Sequence, residues 1–183
     1  MFEFINYIDN SVLDFIKDNM RSGILDIIMP FISVLGNGGF IWIVAAVIFI
    51  CSKKYRKMGI TVGAALIICL LIGNLTLKPL IARIRPYDIN PDIVLLIAKP
   101  KDYSFPSGHT MSSFASATAI FWHNKKLGVC ALILGAAIAF SRLYLCVHYL
   151  TDILGGIVIG AGFGIAAVLL VEGIRSKINF KQK

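Results

Sequence analysis

Acidic residues are few in this chain: ten Asp and Glu stand against eighteen Lys and Arg over 183 residues, a formal net charge of +8. Such an excess would suit nucleic acid if it covered one face, but it is gathered into clusters. Lys53, Lys54, Arg56 and Lys57 form one, Lys125 and Lys126 a second, and Arg175, Lys177, Lys181 and Lys183 a third. Each flanks an apolar stretch, as membrane topology signals do, so nucleic acid is not expected as a partner. Cysteine is sparse as well. Cys51, Cys69, Cys130 and Cys146 show no C-x-x-C spacing, which excludes a disulfide framework and a zinc site, and they read as small buried apolar residues. Internal repeats and low-complexity tracts are absent. The first twenty residues have neither a basic start nor a small-residue cleavage site, so no cleavable signal peptide is expected.

Apolar sequence is what the chain has in abundance: 57% of residues are hydrophobic and the mean hydropathy is +0.80. Most of a single domain, residues 1–183, must therefore sit in lipid. Residues 1–20 space Phe2, Ile5, Ile8, Val12, Phe15 and Ile16 helically, with Glu3, Asp9, Asp14 and Asp18 largely off that stripe, which predicts an amphipathic helix in the interface. Residues 24–35 are apolar but short, interrupted by Asp26 and Pro30, so they read as a short span or as a helix that dips in and stops, which leaves the side of the N-terminus open; the Gly-rich run Gly36–Gly39 breaks the chain after them. Five clearer spans follow at about 40–52, 58–77, 107–122, 128–147 and 150–172. The predicted fold is all-α: a multi-pass membrane bundle of about six transmembrane helices, five clear and one short near the N-terminus. If the five spans alternate, all three basic clusters fall on one side, which should be the cytoplasm, and the C-terminus lies there. The segment 78–105 and the turn around residues 142–152 then share the outer face.

Three polar motifs stand on that face: Lys78 with Arg85-Pro86, Pro106-Ser107-Gly108-His109, and Ser141-Arg142 followed by His148 and Asp152. Polar groups beside membrane spans are costly unless they have work to do. Lys78, Arg85 and Arg142 would repel one another unless a multiply charged anion joins them, and the arginine fork suits phosphate. Lys78 and Arg85 are seven apart, so a helix would place them on one side. Arg83, Lys99 and Lys101 read instead as interfacial anchors. Pro106 fits a helix first turn, leaving the N–H groups of Ser107, Gly108 and His109 to face an anion, with the Ser107 hydroxyl as a further donor. Taken alone, the same residues read as an ordinary helix start, and His109 as a hydrogen-bonded interfacial histidine. His148 and Asp152 are four apart and meet on one helical face, where the carboxylate would fix the imidazole tautomer and free the other nitrogen to attack. Alone, that pair serves equally to close a helix start. A metal on His109, His148 and Asp152 is disfavoured because three cations would repel it. An anion channel is disfavoured because the inner halves of the spans are almost wholly apolar.

The three motifs together resemble the signature of the type 2 phosphatidic acid phosphatase superfamily, over residues 78–152 and with every signature position filled. The resemblance implies a metal-independent and cofactor-free membrane phosphatase. It implies that Lys78, Arg85, Ser107, Gly108 and Arg142 hold the phosphoryl oxygens. His148 would form a phosphohistidine with Asp152 orienting it, while His109 protonates the leaving oxygen and then activates water. Ser141 would position its neighbours. The small size and short 86–105 loop resemble bacterial enzymes acting on undecaprenyl pyrophosphate, phosphatidylglycerophosphate or phosphatidic acid. The outward site suits undecaprenyl pyrophosphate first and phosphatidylglycerophosphate second, with phosphotransfer to another acceptor the alternative outcome of the same site.

Overall fold

The structure, a computed structural model, describes residues 2–181, and Lys183 of the C-terminal basic cluster lies outside them. Among these residues the fold is entirely helical. In chain order the helices are α1 (Phe2–Asn19), α2 (Gly23–Leu35), α3 (Phe40–Cys51), α4 (Arg56–Ile68, continued in π geometry over Cys69–Leu77), α5 (Lys78–Ile81), α6 (Pro86–Ile89), α7 (Gly108–His123), α8 (Lys125–Tyr144) and α9 (Leu150–Lys181). Three stretches are long and apolar enough to cross a membrane: Arg56–Ile89, Lys125–Tyr144 and Leu150–Ile174.

Residues 24–35, expected as a short span or a helix that dips in and stops, and 40–52, expected as a clear span, follow one another across a bend. Together α2 and the segment Asn37–Cys51 pass the same test as the three long stretches, with a 45° bend between them. By length and composition the described helices offer three candidate crossings, or four if the bent pair is one span, against an expected count of about six. The bend is made at Gly38 and Gly39, whose φ values of 57° and 74° are left-handed and suit glycine. α2 begins beside the end of α8, where the Tyr144 hydroxyl donates to Asp26 at 2.6 Å and accepts from the Ser22 N–H. That pairing explains an acid inside an apolar segment. α3 then runs on to the opposite end, fixed on the way by Trp42 Nε1 donating to Ser113 Oγ at 2.9 Å.

α7 is the centre of the bundle, packed most extensively against α8 and α9 and also against α4. At sixteen residues it is too short to pass as a span by length, and it carries Thr110, Ser112, Ser113 and Ser116 buried among its neighbours. Lipid gives helices no hydrophobic reason to associate, so close backbone packing must do so. Gly160 and Gly164 of α9 provide it: a Cβ at Gly160 would lie 2.4 Å from the Met111 carbonyl, and one at Gly164 2.6 Å from that of Ala115.

The two ends of the bundle differ. At one, Lys57 pairs with Glu172 at 3.0 Å and Thr61 bonds His123 at 3.0 Å, gathering the first two basic clusters and the end of α9. At the other lie all three motifs. α1 docks there too, burying Leu13 and Ile16, but Asp9 is also wholly buried. The expectation that Asp9 lies off the packed stripe is therefore corrected.

Candidate active site

Lys78 ends the long α4 path, and Arg85 follows a break. They meet because the helix stops, not because it continues: α5 ends at Ile81, Ala82 is left-handed with φ 49°, and Arg85 is extended with φ −79° and ψ 156°. The cations are buried, with Lys78 5%, Arg85 3% and Arg142 2% exposed. Asp102, from the connection before α7, bridges two of them. Its carboxylate accepts from Lys78 Nζ and, at 2.7 Å, from Arg85 Nη2. Burial alone would raise the Asp102 carboxyl, but the Lys78 bond and charge, and then Arg85, hold it at about 2. Arg85 also donates from Nε to the Asp102 carbonyl at 2.7 Å and from Nη1 to the Val147 carbonyl at 2.6 Å. Arg142 reaches from α8 to Ser33 Oγ of α2, and its buried Nε has no partner.

His148 lies in the turn between α8 and α9, and it is 1% exposed. Its Nδ1 is 3.4 Å from both Asp152 Oδ2 and Ser104 Oγ, while Nε2 lies on the Arg85 side, 3.3 Å from Nη1. Burial first, and then the charges of Arg85, Arg142 and Lys78, push the imidazole well below the ordinary histidine range. It is therefore neutral at physiological pH, with a lone pair available. Asp152 stands in the first turn of α9 and accepts the Tyr149 N–H at 2.9 Å, so the helix-closing role and the His148 contact coexist on one carboxylate.

The second motif departs in part from expectation. Pro106 follows a cis peptide bond and precedes the N-cap Ser107, so it lies outside the first turn of α7. The Ser107 N–H is already used, donating to the Asp152 carbonyl at 3.2 Å, and its hydroxyl accepts from Thr110 at 3.0 Å. Gly108 and His109 do line the cavity. His109 Nε2 is 2.8 Å from Asn37 Oδ1, which comes from the bend between α2 and α3. Ser141 Oγ turns back to the Ile138 carbonyl at 2.6 Å, within its own helix.

Several residues of the site carried no motif. Arg83 is not an interfacial anchor: it donates to Asp152 Oδ1 at 2.6 Å, to Thr151 Oγ1 at 2.7 Å and to Asp9 Oδ2 at 2.6 Å. It also lies over the Tyr149 ring at 4.1 Å. Ser104, wholly buried, donates to Asp152 Oδ2 at 2.5 Å. Nothing in local spacing marks Ser104, Asn37 or Ser33. Arg83 had one signal, a charge five residues after Lys78 in an otherwise apolar run.

Lys78, Arg85, Asp102, His109, Arg142 and His148 line the head of a cavity of about 1000 Å³. From there it extends between α3 and α4 along Ile43, Val47, Leu66 and Leu70 as far as Ile50 and Gly63. A charged head and an apolar flank fit an anionic group attached to a long hydrocarbon. Among the described residues, no group of three or more His, Cys, Asp or Glu is placed to hold a metal ion.

Known proteins resemble this chain in sequence and fold. A family model described as the PAP2 superfamily covers residues 54–175. An undecaprenyl-diphosphatase from Sulfolobus acidocaldarius is 30% identical over 142 residues, covering 77% of this chain and 68% of that protein. Phosphatidylglycerophosphatase B from Bacillus subtilis is 30% identical over 181 residues, covering 90% of this chain and 82% of that protein. The crystal structure of a transmembrane PAP2-type phosphatidylglycerolphosphate phosphatase from Bacillus subtilis superposes with a TM-score of 0.69 at 26% identity, covering 95% of this chain and 87% of that one.

Proposed function

This chain belongs to the PAP2 superfamily of phosphatases, and from that premise we propose that it is a single-domain membrane phosphatase hydrolysing undecaprenyl pyrophosphate to undecaprenyl phosphate and phosphate. The observation that carries the reading is the charge of the cavity head. Three buried cations gather at the cavity head with His148, Asp102 pairs with two of them, and among the described residues the buried Arg142 Nε has no partner. A phosphate dianion supplies the missing charge and acceptors.

In the proposed reaction Lys78, Arg85, Arg142 and the Gly108 backbone hold the phosphoryl oxygens, with Ser107 shaping the start of α7. His148 Nε2 attacks phosphorus while Asp152 supports the developing imidazolium. The negative charge of the bound phosphate offsets the cations beside His109 and favours its imidazolium form, which gives its proton to the leaving oxygen as the P–O bond breaks. His109 then takes a proton from water, whose oxygen attacks the phosphohistidine and releases phosphate. The fixed cations stabilise the transition state, so the scheme draws on no metal or cofactor. The cationic end of the cavity faces the extracytoplasmic side and the clustered lysines face the cytoplasm, with the C-terminus. Phosphatidylglycerophosphate is the second reading, supported by the relative and the solved structure named for that activity.

The deciding experiment compares turnover of detergent-solubilised undecaprenyl pyrophosphate, phosphatidylglycerophosphate and phosphatidic acid in EDTA. The expected order places undecaprenyl pyrophosphate first. A higher kcat/KM on phosphatidylglycerophosphate would replace it, and phosphorylated acceptor without free phosphate would favour phosphotransfer.

Two further results are expected. A Cβ at Gly63 would meet nothing within 4 Å, so Gly63→Phe should project into the apolar flank. Turnover of a long-chain lipid phosphate should fall about tenfold, in line with the ~1–3 kcal/mol that a filled or emptied apolar subsite commands. Hydrolysis of p-nitrophenyl phosphate should be unchanged, and equal losses on both would remove the tail from this groove. Asp102 holds Lys78 and Arg85 where phosphate oxygens would bind, so substrate must displace it. Its carboxyl is held at about 2, so the ion pair is present above the ordinary carboxylate value of about 3.9 and is lost only as pH falls through about 2. Competition should therefore be flat between pH 5 and 9. Asp102→Asn should tighten vanadate inhibition roughly tenfold, the size of one charge-assisted contact, and an unchanged inhibition constant would separate Asp102 from the phosphate position.

A further inference from the structure

One buried carboxylate in α1 lies far in sequence from every motif and outside the residues covered by the family model, yet it is linked to the site. Asp9 is 0% exposed and accepts three bonds: from Arg83 Nη2 at 2.6 Å, from the Thr151 N–H at 2.9 Å and from Thr151 Oγ1 at 2.6 Å. Arg83 is thereby forked between two carboxylates, with Nη2 on Asp9 and Nη1 on Asp152 Oδ1. The two oxygens of Asp152 then have separate partners. Oδ1 is held by Arg83, and Oδ2 faces Ser104, the Tyr149 N–H and His148 Nδ1.

We propose that Asp9 and Arg83 are positioning residues that set the rotation of the Asp152 carboxylate against His148, so that α1 completes the active site. The proposal rests on the reading of His148 and Asp152 given above. A guanidinium bound by Asp152 alone would settle to satisfy that carboxylate, drawing both oxygens toward itself by its bidentate preference. Asp9 takes the other half of the fork, so Arg83 meets Asp152 through a single nitrogen and leaves Oδ2 for the imidazole. Sharing one cation between two carboxylates also leaves Asp152 with negative charge to stabilise the imidazolium that forms as His148 is phosphorylated. The plain alternative is that the buried pair only docks α1. Loss of a buried ion pair would then lower stability and leave the kinetic constants of the folded fraction unchanged.

The test uses the full-length protein in lipid nanodiscs with four variants: Asp9→Asn, Arg83→Lys, their combination, and His148→Ala. Asparagine keeps the Asp9 shape and an acceptor for Thr151 but not the ionic bond. Per folded molecule, Asp9→Asn and Arg83→Lys should each lower kcat by about tenfold to a hundredfold, as supporting groups around a reactive site do. KM and the inhibition constant for inorganic phosphate should stay within about twofold, because neither residue faces the phosphate cations. The double variant should be no slower than the slower single one, since both act through Asp152. A wild-type kcat in folded Asp9→Asn, or losses that multiply in the combination, would overturn the proposal. If Asp9→Asn does not fold, Arg83→Lys carries the same split: a wild-type kcat in it overturns the proposal alone. Activity surviving in His148→Ala would instead overturn the parent reading.

Discussion

Replacing His148 with alanine is expected to lower kcat by about 10⁴-fold or more, the scale seen when the nucleophile of a covalent mechanism is removed. Of the titratable groups around the cavity, His148 alone combines a neutral ring, an Nδ1 backed by a carboxylate and an Nε2 directed to the cationic side. Lys78, Arg85 and Arg142 remain in the variant, so inorganic phosphate should bind within about threefold of wild type, and the loss should appear in kcat. That split separates loss of the nucleophile from collapse of the pocket. A His109→Ala variant supplied with labelled lipid phosphate should accumulate protein-bound label that acid removes and alkali does not, as a P–N bond behaves. Turnover retained by His148→Ala would sink the covalent scheme outright.

Arg85→Lys is the second large effect. A guanidinium reaches the Asp102 carbonyl, the Asp102 carboxylate and the Val147 carbonyl at once, from three nitrogens. One ammonium on a flexible stem does not span these positions. The substitution keeps the charge but leaves the buried Val147 carbonyl unpaired, at about 1–3 kcal/mol, loosens the part-buried bonds to Asp102, and removes the two-point grip on phosphate. The expected fall in kcat/KM is about 10²–10³-fold, comparable to loss of one fixed donor at a developing oxyanion. Vanadate inhibition should weaken with it, and the thermal midpoint should drop because Arg85 also ties the 82–106 connection to the His148 turn. Near-normal kcat/KM in Arg85→Lys would mean that charge alone matters there and that the fork does not.

The membrane class, the helical character and six of the side chains that the fold brings together at the candidate site were legible because each leaves a local mark. Long apolar stretches bounded by lysine clusters report a bilayer, and Lys78, Arg85, His109, Arg142, His148 and Asp152 are costly residues at span ends. Reading Lys78 and Arg85 as one helical face reached the right juxtaposition by the wrong route, since the left-handed Ala82 that lets them meet has no glycine or proline to announce it. Whether residues 24–35 cross by themselves or join 40–52 was not legible, for a related reason. Hydropathy measures each half, while the direction of travel is set at Gly38-Gly39 by contacts with α7 and α8. Local spacing leaves the Ser107 N–H free, and only the fold brings up the Asp152 carbonyl that accepts it, from forty-five residues away.

Sequence alone therefore determined the membrane class and the phosphatase family, because the family's motifs are particular side chains visible one residue at a time. The fold decided how the groups are tuned. Asp102 sits on the cations, Asn37 touches His109, Ser33 meets Arg142, and Asp9 shares Arg83 with Asp152 across seventy-four residues. These are ordinary polar residues in ordinary positions, Asp9 and Ser33 buried and Asp102 and Asn37 exposed, and what distinguishes them is the charged or titratable partner that packing sets beside them. In a low-dielectric bundle an unpaired charge is expensive enough to recruit partners from any part of the chain, and which part supplies them is fixed only when the helices pack.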